Sequence, residues 1–119
     1  MPDVLHAVAE TPTFQRDAAA AGMSEAEKAE LISFLAANPE AGDLIVGTGG
    51  ARKLRWRRPG TGKSGGYRVL DAWLPASGIV LLIAAWPKSE REDLERGDYE
   101  AIAKLIARIQ RQLGEGEIG

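Results

Sequence analysis

Residues 79–86, IVLLIAAW, form the longest apolar run of the chain, closed by Pro87. A helix that crosses a bilayer needs about 20 apolar residues, so this run is too short to span one. Read as a strand, it is apolar on both faces, which is the pattern of a strand in the interior of a sheet. An interior strand needs neighbours. YRVLDAWL, residues 67–74, supplies one and is joined to it by the turn PASG. KLRWR, residues 53–57, supplies another. Its alternation puts Lys53, Arg55 and Arg57 on one face and Leu54 and Trp56 on the other. The three runs predict an antiparallel meander.

Helices flank this sheet. Residues 13–20 read as a short helix. Ser24 and Glu27 have the S-x-x-E spacing of a capping box. Leu31, Ile32 and Leu35 then make one apolar stripe, and Asn38-Pro39 stops the helix. Tyr99, Ile102, Leu105, Ile106, Ile109 and Leu113 form the stripe of a closing helix. A second S-x-x-E falls at Ser89 and Glu92. Residues 4–10 are a candidate first strand. The glycine-rich stretch 42–53 reads as an irregular loop. The fold class expected is α+β: N-terminal helices on a small antiparallel sheet, then a C-terminal helix. The 119 residues make one domain with no linker and a frayed tail at about 114–119.

Cysteine is absent and His6 is the only histidine, so neither a disulfide framework nor a His/Cys zinc site is expected. No signal peptide is discernible, and a cytoplasmic location is expected. His6 reads as structural.

The net charge of −2 conceals an uneven distribution. Residues 1–50 carry −6, residues 51–70 carry +7 without one acid, and residues 71–119 carry −3. A compact basic island in an acidic chain is the footprint of a polyanion partner.

RRPGTGKSGG, residues 57–66, lies inside that island and ends like a nucleotide-binding phosphate loop. The full motif, G-x-x-x-x-G-K-[ST], requires glycine at position 57, which is Arg57. It also requires a buried strand before it and a helix N-terminus after it. Here a half-charged strand precedes and the β-like YRVL follows. Nucleotide binding is not expected. The segment reads as a cationic hairpin loop.

Three ordered blocks then match a known pattern: LAANPEAGDLIVGTGGARKLRW, GTGKSGGYRVL and LLIAAWPKSEREDL. They fit N-P-x-x-G-x-x-I-x-G-T-G-G-x-R-K at Asn38 to Lys53, G-K-x-G-G-x-R at Gly62 to Arg68, and K-x-E-x-x-D-L at Lys88 to Leu94. Together they span roughly residues 10–110. The chain thereby resembles the RelE/HigB-like toxins of bacterial type II toxin–antitoxin systems, within the RelE/ParE superfamily. That resemblance implies helices packed on an antiparallel sheet with a basic concave face. It implies an mRNA interferase, an endoribonuclease that cuts mRNA on the ribosome and stops translation. It also implies a cognate antitoxin, typically a helix-turn-helix protein. No metal, nucleotide or other cofactor and no membrane enter this expectation.

Cleavage of this kind uses the 2′-OH as nucleophile on the adjacent phosphate. It requires a base for that hydroxyl, charge for the phosphorane and an acid for the 5′-oxygen. By the resemblance, Lys53 is the base or its helper and Arg55 a phosphate clamp. Arg68 meets the transition-state charge, and Lys88 is the acid or a second clamp. Arg52, Arg57, Arg58 and Lys63 are candidates for holding the RNA backbone. Tyr67 and Trp86 are candidates for base stacking or for the core. Trp56 is expected in the core.

The chain departs from the family pattern at Asp71, where tyrosine is common, and at Ser89 and Glu95, where some relatives carry arginine and tyrosine. Two other readings stay open: a ParE-like toxin that binds gyrase without cutting RNA, and a catalytically silent RNA- or antitoxin-binding member of the fold.

Overall fold

The computed structural model describes residues 6–56, 66–87 and 94–114. It is an α+β domain with five strands and three helices among those residues. In chain order these are β1 (Ala7–Glu10), α1 (Pro12–Ala20), α2 (Glu25–Ala37), β2 (Asp43–Leu44), β3 (Ala51–Trp56), β4 (Tyr67–Leu74), β5 (Ile79–Pro87) and α3 (Arg96–Gln112). The sheet order is β1-β5-β4-β3-β2. The run IVLLIAAW is therefore interior, flanked by β1 and β4, as its two apolar faces require.

β3, β4 and β5 form the antiparallel meander. The sheet as a whole is mixed, because β1 runs parallel to β5. This corrects the expectation of a purely antiparallel sheet. A parallel pair needs a long crossover, and here α1, α2 and the rest of the meander supply it. At the end of β1 the backbone N–H of Thr11 donates to Leu82 O at 3.0 Å. The Thr11 hydroxyl donates to Ile83 O at 3.1 Å and accepts from Phe14 N, capping α1. Ile83 is the extra residue of a β-bulge, since Leu70 pairs with Ala84 and Asp71 with Leu82. The Thr11 hydroxyl thus takes up a carbonyl of the residue that the ladder skips.

Each sheet face has its own core. On one side α1 and α2 bury Phe14, Leu31 and Leu35 against Leu54, Val69, Val80 and Leu82. Burying each large side chain is worth about 2 kcal/mol. The predicted capping box is formed: Glu27 N donates to Ser24 Oγ at 3.0 Å and Ser24 N to Glu27 Oε1 at 2.8 Å. α2 ends before Asn38-Pro39. On the other side α3 buries Ile102 and Ile106 against Ala51, Leu70, Leu81 and Ile83. Leu113, expected in that stripe, is exposed.

Residues 42–53 are more ordered than an irregular loop. β2 pairs antiparallel with β3, which begins at Ala51. Between them Thr48 is fully buried. Its hydroxyl donates to Ile45 O at 2.6 Å and accepts from Ala51 N at 3.0 Å. Gly47 and Gly49 have φ of 90° and 77°, which side-chain-bearing residues rarely adopt. The second predicted S-x-x-E, at Ser89 and Glu92, and most of the terminal tail lie outside the described residues. No helix among the described residues is long and apolar enough to cross a membrane.

Candidate nucleic-acid interface

Strand parity sorts the basic island. Arg55 lies directly opposite Arg68, which lies directly opposite Trp86. Lys53 lies opposite Leu70, which belongs to the α3-side core. Lys53, Arg55, Arg68 and Trp86 therefore share the α3 face of the sheet. Directly opposed residues have Cα atoms about 5 Å apart, and Lys53 and Arg55 are about 7 Å apart along the strand. Their exposures differ. Arg55 is exposed, Lys53 half-buried, and Arg68 and Trp86 only 3% exposed. Arg68 sits at the base of the row and Arg55 at its surface. Trp86 packs with Ile83 and Ile102, as a core residue does.

Arg52 and Tyr67 fall on the opposite face. Arg52 donates from Nη1 to Glu40 O at 3.1 Å and Gly42 O at 3.2 Å, and its Nη2 lies 3.9 Å from the Glu40 carboxylate. It ties the turn after α2 to β3. Tyr67 is buried beside Val69 and Leu54, and its hydroxyl donates to the Glu27 carboxylate at 3.2 Å. Neither joins the Lys53–Arg55–Arg68 row. Trp56 packs on the α1/α2 core and against Phe34, with ring centroids 5.4 Å apart. His6 stacks edge-on against Trp73. Arg57, Arg58, Lys63 and Lys88 lie outside the described residues. Residues 57–65 also lie outside the described residues; from Tyr67 the chain forms strand β4 and not a helix.

Asp71 faces Arg52 across β3 and β4. It is fully buried, and neither carboxylate oxygen has a hydrogen-bond partner. Burial pushes its carboxyl from an ordinary 3.8 up to about 8, with the Arg52 guanidinium pulling the other way. Asp71 is thus a neutral acid near pH 7, set on the face away from Arg55 and Arg68. It does not pair with the exposed cations.

An open cleft of about 410 Å³ borders the cation row, lined by Asp43, Leu44, Ile45, Val46, Lys53 and Tyr99. Periodicity assigned Tyr99 to the packing stripe of α3, and Asp43 carried no signal of its own. The one local hint was the glycine loop. A methyl group at Gly49 would lie 3.7 Å from Ala103 Cα, and one at Gly47 3.8 Å from the Tyr99 ring, so the loop backbone lies close against α3.

No family model matches the chain.

Proposed function

We propose that this protein is a metal-independent endoribonuclease with a RelE-like fold, the toxin of a type II toxin–antitoxin pair. The observation that carries this reading is the placement of Lys53, Arg55 and Arg68 on one sheet face, with Arg55 and Arg68 in direct cross-strand register. A guanidinium matches phosphate geometry with two parallel donors, and Arg55 is exposed to receive one.

In the reaction, the 2′-OH oxygen bonds to phosphorus and gives up its proton, with Lys53 as the base or its helper. Arg55 and Arg68 meet the negative charge of the phosphorane. The bond to the 5′-oxygen breaks, that oxygen receives a proton, and the products are a 2′,3′-cyclic phosphate and a 5′-OH end. Lys88 is the proposed proton donor. The substrate is mRNA on the ribosome, the setting is the cytoplasm, and the neutralising partner is a helix-turn-helix antitoxin.

The test is induction of the wild type and of a Lys53→Ala, Arg68→Ala double variant, with mRNA 5′ ends mapped in the arrested cells. Circular dichroism of the purified variant confirms that it folds. New ends within coding regions, absent with the variant, are the expected result. Arrest without cleavage overturns the nuclease and favours a gyrase-directed toxin. Absence of arrest favours a silent member of the fold.

A further inference from the structure

We infer that the cleft between β2, the 45–50 turn and the first turns of α3 is a nucleobase subsite in which Asp43 selects guanine. This inference rests on the ribonuclease reading, and it names the base recognised beside the scissile phosphate. Lys53 belongs to both places: it lines the cleft and stands in the cation row. A strand of RNA with its phosphate at the exposed Arg55 therefore passes the mouth of the cleft.

The lining has the chemistry of a base and not of a phosphate. Asp43 is exposed and directly opposite Lys53 in the β2–β3 register, so both side chains leave the same side of the sheet. A carboxylate at that point repels a phosphate, yet it accepts from N–H groups. Guanine presents two adjacent N–H donors, at N1 and N2, which fit one carboxylate. Adenine and cytosine offer a single amino group there, and uracil flanks its one N–H with carbonyls that repel an anion. Tyr99 supplies a half-buried aromatic ring, the usual platform for an unstacked base. Leu44 and Val46 are 56% and 84% exposed and give the cleft apolar lips. Its volume of about 410 Å³ lies within the ~300–1,000 Å³ of small-molecule sites.

The experiment measures affinity for short single-stranded oligonucleotides with an uncleavable 2′-deoxynucleotide at the reacting position and each of the four bases beside it. The proteins are the wild type, Asp43→Asn, Tyr99→Phe and Tyr99→Leu, with melting temperatures as the control for folding. The wild type should prefer guanine by about tenfold or more. Asp43→Asn should lose that preference and keep its affinity for the other three bases. Tyr99→Leu should weaken all four, and Tyr99→Phe, which keeps the ring, should restore them. Equal binding of all four bases by the wild type overturns the subsite and leaves the nuclease reading intact. Guanine preference that survives Asp43→Asn places selection elsewhere and also overturns it. Absence of binding to every oligonucleotide overturns the subsite, while the nuclease reading is decided separately by the mapped mRNA ends.

Discussion

Replacing Asp71 by asparagine isolates the energetic consequence of a carboxyl group with no exposure and no hydrogen-bond partner. Asparagine has the shape of the protonated acid and does not titrate. In the wild type, the folded state keeps the Asp71 proton up to about pH 8, whereas the unfolded chain releases it near 3.8. The unfolded state therefore binds fewer protons between those values, and stability falls as pH rises through that window. Above the folded value the loss is complete and the curve flattens. At about 1.4 kcal/mol per pH unit, the wild type should lose about 4 kcal/mol between pH 5 and pH 8 relative to the variant. A domain of this size has about 5–15 kcal/mol in all, so the effect is large. The assay is urea unfolding followed by tryptophan fluorescence, using Trp56, Trp73 and Trp86, at pH steps from 5 to 9. The absolute offset between the two proteins also includes the cost of burying an amide, but the slope difference belongs to the carboxyl. Parallel stability profiles across this range would refute the reasoning, since they require Asp71 to be ionised at no cost.

Two further changes probe the turn that frames the cleft. Gly42 has φ of 89°, and a methyl group there would lie 2.9 Å from the backbone oxygen of Lys53. Gly42→Ala should therefore destabilise by at least about 2 kcal/mol in thermal or urea unfolding, and an unchanged midpoint would contradict the close approach. Thr48→Val keeps the side-chain volume but removes the acceptor for the buried Ala51 N–H and the donor to Ile45 O. It should cost about 2 kcal/mol, with faster amide exchange at Ala51 as the local signature.

The sequence made some elements legible because a single local pattern determined them. Ser24 and Glu27 are three residues apart and close a cap that involves no distant part of the chain. The run 79–86 is apolar in every position, so as a strand it fits the interior of a sheet and not its edge. Alternation in β3 separated Lys53 and Arg55 from Leu54 and Trp56 because one face of that strand is charged. The same logic fails on β4. Tyr67, Val69 and Leu70 are all buried, so alternation there does not reveal which face carries the site, and Arg68 could not be told from Tyr67. β1 was legible as an extended segment, but its direction was not. Parallel pairing of Ala7–Glu10 with β5 joins residues some 70 positions apart, and no local signal encodes it. Tyr99 was hidden for a different reason: a residue at the edge of a packing stripe has the same spacing as one at its centre.

The two sheet faces use charge differently, and one step along β3 separates the uses. Arg52 is turned toward the α2 side, where two carbonyls and the Glu40 carboxylate take up its donors. Asp71, its cross-strand neighbour, is held there as a neutral acid. That side is settled within the fold. On the other face, Arg55 and Arg68 are aligned by register with like charge facing like charge. Arg68 is only 3% exposed, so Arg55 is the guanidinium of the pair that is open to an outside anion. The row of Lys53 and Arg55 on the α3 face, with Arg55 exposed, is the physical ground for proposing this face, and not the Arg52 face, as the RNA surface.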